Sequence, residues 1–247
     1  MKKIILIILL TSNLYSENND LKFEKANKFV TEKKYTDAIY EYQEILKSGV
    51  ESAELHYNLG FSYFKINKLG KAILHFEKAK KINPSDEDLI FNLKYAELRK
   101  IDKIDEIPEF FLKLWLSKIY NFINSNYVLI LIYLFLVIGI SIILIMFFNQ
   151  EIFRRSIFLI GVVFVISSIF LILIYETQRN DSEKNKIGII TTSTAMIKLT
   201  PTIDSEDAFI LHEGTKISLI EVINNWSKIK IGDGKIGWIE NINFGEI

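Results

Sequence analysis

At 247 residues the chain has room for one to three domains, and 30 basic residues balance 30 acidic ones. A formal net charge of zero argues against a nucleic-acid partner. Cysteine is absent, which removes disulfides, thiolate metal sites, a cysteine nucleophile and a lipid-modified N-terminal cysteine.

Residues 1–16 open with Met1-Lys2-Lys3, continue through the apolar run Ile4–Leu10 and end on the small polar stretch before Glu17. A basic start, a short apolar run and a small-residue exit predict a secretory signal peptide. Leu14 stands where a small residue is preferred for cleavage after Ser16, so an uncleaved anchor is the alternative. In either case the following segment, 17–106, is expected on the export side.

That segment repeats itself. Tyr35-Thr-Asp-Ala38-Ile-Tyr-Glu-Tyr42 aligns with Leu69-Gly-Lys-Ala72-Ile-Leu-His-Phe76, so Ala38 and Ala72, and Tyr42 and Phe76, lie 34 residues apart. Ala26 and Phe29 match Gly60 and Tyr63 at the same offset. The small residues predict close helix approach, with the aromatics filling the space beside them. A 34-residue period with this spacing resembles the tetratricopeptide repeat, with copies at 19–52 and 53–86 and a capping helix at 87–103. Pro84 ends the last repeat, and Asp86, Glu87 and Asp88 place acid at the next helix start, where the dipole favours it. The resemblance implies an inner face that binds an extended peptide or another protein. Carried across position by position, that face is Asn27, Tyr57, Asn58, Phe61, Lys65, Asn92 and Tyr95. The other reading of these aromatics is packing.

Pro108 breaks the chain from the cap helix. Residues 107–126 then place Phe110, Phe111, Leu114, Trp115, Ile119 and Phe122 at helical spacing. This predicts an amphipathic helix in the headgroup region or, alternatively, a core helix docked on the repeats. Residues 127–148 and 157–175 contain no charged residue. At about 1.5 Å per residue each is long enough for a hydrocarbon core of about 30 Å. They predict a two-helix transmembrane hairpin, the alternative being a buried hairpin in a soluble protein. The 149–156 loop carries Arg154 and Arg155, which marks it as cytoplasmic. Gly139 and Gly161 would let the two spans approach closely.

Residues 176–186 are polar and aperiodic and predict a linker. Short alternating or β-branched runs follow at Ile187–Thr191, Ala195–Lys198, Ala208–Leu211, Lys216–Val222, Trp226–Ile231 and Lys235–Ile239. Five or six strands in so few residues predict a small barrel or half-barrel. Leu211-His-Glu-Gly-Thr215, Trp226-Ser-Lys-Ile229 and Gly237-Trp238-Ile239 make 187–247 resemble a bacterial SH3-like domain. That resemblance implies binding of peptides or of cell-wall peptides, or a role in assembly, with Trp226 and Trp238 as contact candidates. Core packing is the other reading of both tryptophans.

No catalytic constellation is visible. His56, His75 and His212 lack metal-ligand spacing, and Gly232-Asp233-Gly234 is a turn rather than a phosphate loop. The expectation is no enzyme, no metal and no cofactor. The fold class is a multidomain membrane protein: an all-α repeat domain, a transmembrane hairpin and an all-β SH3-like barrel. The complete order resembles the BatE-type proteins of the bacterial aerotolerance (Bat) operon. That resemblance implies a subunit of a membrane complex with von Willebrand A-domain proteins and a MoxR-type ATPase, serving envelope or oxidative stress. The expected placement is the bacterial inner membrane, two-pass, with both soluble domains periplasmic. A peptidoglycan sensor or tether acting through the SH3-like domain is the alternative function.

Overall fold

The computed structural model describes residues 18–105, 107, 125–148, 154–184 and 186–247. The expected signal peptide and the body of the juxtamembrane helix lie outside these residues, as does most of the loop between the two apolar helices. The chain forms two compact units, Met1–Glu106 with Lys186–Ile247, and Ile107–Asn185.

The first unit begins with helices α1 (18–31), α2 (Tyr35–Lys47), α3 (Ala53–Lys65), α4 (Leu69–Ile82) and α5 (Glu87–Glu97). The Ser52 side chain accepts from the Leu55 N–H at 3.1 Å, and Asp86 accepts from the Leu89 N–H at 3.0 Å. Each cap satisfies a backbone donor that the first turn leaves free. Lys33 and Asn67 take positive φ values of 61° and 57°, at equivalent positions in the two repeats, where each helix pair turns. Ala38, Tyr42, Leu59, Ala72, Phe76, Leu93 and Ala96 are buried together. A Cβ on Gly60 would lie 2.8 Å from the Phe76 ring and 3.1 Å from the Ala72 carbonyl oxygen, so the aromatic fills the space that the glycine leaves. Expected to run to 103, α5 stops at Glu97 because the following chain leaves for the sheet. There Asp102 and Ile104 find their partners.

The sheet comprises β1 (Lys186–Ile190), β2 (Thr194–Lys198), β3 (Asp207–His212), β4 (Lys216–Ile223), β5 (Trp226–Lys230), β6 (Ile236–Glu240) and β7 (Phe244–Glu246). Its order is β3-β2-β6-β5-β4-β1-β7, and every pairing is antiparallel. The expected SH3-like barrel is therefore not closed. Strands β3 and β7 form open edges, and β2 meets β6 at one registered pair, Lys198 with Trp238. Strand β7 is a seventh strand beyond the five or six expected, and it lies against α4. Leu74 leaves no room there for a Cβ on Gly245. Ile190, Ala195, Ile197, Leu211, Ile217, Leu219, Ile229, Ile231 and Ile239 form the sheet's core.

Repeat and sheet, read apart in sequence, are one body. Ile189 of β1 belongs to the helical core. Gly70 at the start of α4 approaches the backbone of Ile190 and Thr191 too closely for a side chain, and its N–H donates to Glu213 Oε2 at 2.9 Å. Gly214, at φ +87°, sits under Ile73. Lys216 Nζ lies 3.3 Å from Glu77, and Lys81 Nζ donates to the Ile247 carbonyl at 3.1 Å. The Asp102 carboxylate accepts from the His212 backbone N–H at 2.6 Å and from the Thr215 hydroxyl at 2.7 Å. Its other oxygen lies 2.7 Å from His212 Nδ1.

The second unit contains α6 (Ser125–Phe148) and α7 (Arg154–Lys184). Within them, Tyr127–Ile145 and Ile157–Glu176 are long and apolar enough to cross a membrane. Only 17% and 11% of these stretches are buried, which is unlike the core helices of a soluble protein. Ile130, Leu134 and Val137 on one helix, and Leu159, Ile166 and Leu173 on the other, are exposed. The two helices cross at Gly139 and Gly161, each placing the other's carbonyl within 3.1–3.3 Å of its absent Cβ. Phe135 and Phe164 meet edge to face at 5.3 Å. Helix α7 continues through 176–184, in place of the expected linker. The sequence from Val162 to Ile187 has neither glycine nor proline to stop it.

Candidate functional site: the inner face of the repeat

Helices α1, α3 and α5 are the first helices of successive repeats. Their shared face carries the same pattern twice. Tyr57, Asn58, Phe61 and Lys65 on α3 are matched by Phe91, Asn92, Tyr95 and Arg99, each 34 residues later. The spacing places the first four along one face of α3 and Phe91, Asn92 and Tyr95 along one face of α5, with Arg99 in the turn that follows it.

The amides knit this face together. Asn27 Oδ1 accepts from the Tyr42 hydroxyl at 2.5 Å and from Asn58 Nδ2 at 3.1 Å, joining the two repeats. Asn92 Nδ2 donates to the Tyr57 hydroxyl at 2.8 Å and to the Asp88 carbonyl at 2.9 Å, joining α5 to α3. Burial keeps the Tyr42 hydroxyl protonated well beyond its ordinary range. Burial, with the Asp88 and Asp86 carboxylates nearby, raises Tyr57 as well. Both phenols are therefore neutral and fixed in role. The Asn58 side chain also bonds to Tyr42, and its amide oxygen has no partner among the described residues, so it can accept from one peptide N–H of a ligand.

The aromatics carry cations. Lys65 Nζ stands 4.8 Å from the Phe61 ring centre. Arg99 spans Phe64 and Tyr95 at 4.8 and 5.1 Å. Phe91 is 70% exposed and Tyr95 45%, values that packing inside the unit does not explain. The structure thus brings together Asn27 with Asn58, Tyr57 with Asn92, and Phe61 with Lys65. Phe91 and Arg99 are not among the residues selected from sequence, although the repeat offset that selects Asn92 also reaches both. A cleft of about 210 Å³ opens beside Arg99, lined also by Phe64, Asn67 and Leu69.

The tryptophans are less available. Trp226 and Trp238 share a face of the sheet by register, on adjacent strands β5 and β6. Trp238 is only 8% exposed, and Lys228 Nζ stands 5.8 Å from its ring. Lys198, its partner in the register, is held by Asp207 at 2.7 Å. Trp226 is half-buried where the β4–β5 hairpin closes.

The histidines pair with protein groups. Among the described residues no three metal-ligating side chains cluster. His56 and His75 stack at 5.3 Å with their Nδ1 atoms 3.1 Å apart, and Tyr63 stacks on His75 at 5.6 Å. Burial first, then the neighbouring His56, Lys78 and Lys71, push His75 down to about 3. Burial lowers His56 too. Both imidazoles are neutral in the fold, whereas the unfolded chain takes up protons below about pH 6.5. Their contribution is therefore complete above that value and is lost as pH falls below it, for His75 down to about 3. Each histidine removes up to about 1.4 kcal/mol per pH unit within its own window. Thermal unfolding between pH 7 and 4.5 is expected to show this slope, and His75→Gln to flatten it.

Residues 53–86, which form α3, α4 and the turn after them, match the tetratricopeptide repeat family model. No curated protein matches the chain. A tetratricopeptide repeat, a fold that generally mediates protein–protein interaction, is therefore present at 53–86 and carries the α3 part of the face.

Proposed function

We propose that this chain is a non-enzymatic scaffold of the bacterial inner membrane that offers the inner face of its repeat to an extended segment of a partner protein. The observation that carries this reading is the exposure of Phe91 and Tyr95 on α5, in a pattern of aromatic, amide and cationic side chains that α3 repeats with Tyr57 and Phe61 partly packed on the core. Packing alone would bury Phe91 and Tyr95. Asn58 supplies the backbone contact and Phe61, Phe91 and Tyr95 the apolar one.

Membrane placement is supported by two apolar helices whose sides face outward. The repeat precedes them and the sheet follows, yet repeat and sheet form one folded unit. That unit can exist only if both parts lie on one side of the bilayer, and two spans return the chain to the side it left. The basic, apolar start of the sequence and the Arg154-Arg155 pair favour the periplasmic side. The resemblance to BatE-type proteins suggests von Willebrand A-domain proteins and a MoxR-type ATPase complex as partners in envelope stress. The peptidoglycan reading has less support, because Trp238 is covered.

A photo-crosslinking amino acid placed at Tyr95 tests the scaffold reading in intact cells. It is expected to capture a protein at that position and not at Lys230 on the sheet. Asn58→Ala should reduce the capture at least fivefold. Equal capture at both positions would refute the groove as the binding site.

A further inference from the structure

Given the membrane placement proposed above, on which this reading rests, we infer that the tip of the β4–β5 hairpin, with Ile242 beside it, rests in the lipid headgroup layer. Strand β4 alternates as a half-buried strand should up to Leu219, with Ile217 and Leu219 inside and Lys216 and Ser218 outside. Beyond Leu219 the alternation stops. Ile220, Val222 and Ile223 are apolar and all exposed. Ile242 is 81% exposed, more than any other large apolar side chain among the described residues. No charged residue occurs in 222–227 or in 241–245.

These side chains are held rather than loose. The hairpin turns in two residues, Asn224 at φ 53° and Asn225. Asn241 pins the turn from the next segment. Its N–H donates to the Asn225 carbonyl at 2.8 Å, its Nδ2 donates to the Asn224 carbonyl at 3.3 Å, and its Oδ1 accepts from the Ser227 hydroxyl at 2.7 Å. Ile242 follows directly, and Trp226 stands opposite Ile223 in the register. Two segments thus build one small apolar tip with an indole at its base.

Register sets the direction of this tip. Strand β1 begins with Lys186 opposite Leu219 of β4. Strand β4 runs antiparallel to β1 and continues past that pair to Ile223, an overhang of about 13 Å. Lys186 is where the chain enters the sheet, so the overhang projects back the way the chain arrives. The apolar stretch of α7 ends at Glu176, and the helix continues to Lys184. From Glu176 to Lys186 a helical path covers about 15 Å, and the headgroup layer is itself about 5–8 Å thick. This tether keeps the tip within reach of lipid. The other connection, about 20 residues from Asp105 to Tyr127, can reach the bilayer from either end of the sheet. Headgroup depth suits the tip. The aliphatic side chains and the indole meet the acyl boundary, while the backbone that β1 leaves uncovered stays hydrated, as the hydrocarbon core would not allow.

The chain has no cysteine, so a nitroxide can be placed at single sites of the full-length protein in nanodiscs of phosphatidylethanolamine and phosphatidylglycerol. In Ile242→Cys and Ile223→Cys, collisions of the label with oxygen are expected to exceed those with a water-soluble nickel chelate. Ile236→Cys, an exposed apolar position at the far end of β6 from the tip, should show the reverse. Val137→Cys, exposed on α6, reports on the membrane itself and should read as lipid. Lipid at Val137 with water at Ile242 and Ile223 would overturn the hairpin contact and leave the membrane placement intact. Water at Val137 would overturn both. Protection of Ile242 and Ile223 from both reagents would mean that a second copy or a partner protein covers the tip, and would overturn the lipid contact.

Discussion

Gly70→Val is expected to prise the sheet from the repeat. The glycine sits in the first turn of α4, where helix propensity alone would favour almost any other residue by about 0.5–1 kcal/mol. Contact outweighs propensity here. A Cβ would run into the Ile190 carbonyl oxygen and come within 3.0 Å of Thr191 Cα and of Glu213 Cβ. Two of those atoms are backbone and cannot rotate away. Overpacking of this kind costs about 1–3 kcal/mol, and the upper end applies where backbone must move. The substitution also displaces Glu213 from the Gly70 N–H. Urea unfolding of the full-length protein in detergent should lose its single transition, the sheet signal separating from the helical one. Gly70→Ala should show the same change more weakly. A single unshifted transition in both variants would mean that the seam does not couple the two parts.

The second large effect is expected from Asp102→Ala. One carboxylate serves the His212 backbone N–H, the His212 ring and the Thr215 hydroxyl. Thr215 is only 3% exposed, so water cannot readily replace the missing acceptor. Each buried donor left unsatisfied costs about 1–3 kcal/mol, which puts the substitution at roughly 3–5 kcal/mol. Asp102→Asn should recover part of this, since its amide oxygen still accepts. Burial opposes ionisation of Asp102, but the hydrogen bonds from the His212 N–H, the Thr215 hydroxyl and the His212 ring outweigh it and hold the carboxyl below its usual range. The stabilisation is therefore present above the ordinary aspartate pKa of about 3.9 and is lost as pH falls through the lower folded value. This window lies below the onset of the histidine effect, so a pH series of melting temperatures separates the two. In Asp102→Asn the loss below pH 4 should disappear while the slope from pH 6.5 remains.

Sequence resolved the repeat because its residues act locally. Ala38, Tyr42, Ala72 and Phe76 lie on helices whose partners are close in the chain, and a fixed period reports that. Strands β1 to β6 were legible because residues such as Ile217 and Leu219, or Ala195 and Ile197, alternate with exposed neighbours. Closure was not legible, since alternation says which face is buried and nothing about which edges meet. Strand β7 has three residues and a central glycine, too few to show a period. The seam was invisible for a different reason. Glu213-Gly214-Thr215 has the composition of a turn, and its side chains work on residues more than a hundred positions away. Among the candidate residues, Asn58 and Asn92 were found by their offset. Phe91 and Arg99 needed the exposed surface of α5 to draw attention to them.

The bond between Lys81 and the Ile247 carbonyl has a consequence for biosynthesis. Leu74, on the apolar side of α4, is made early and meets Gly245 only when β7 emerges from the ribosome. Until then the nascent protein carries an open flank and depends on whatever protects unfinished chains. A product truncated before β7 would lack Gly245 and the Ile247 carbonyl together. The early half of the fold thus waits on a late segment, and a prematurely stopped chain would betray itself to proteases.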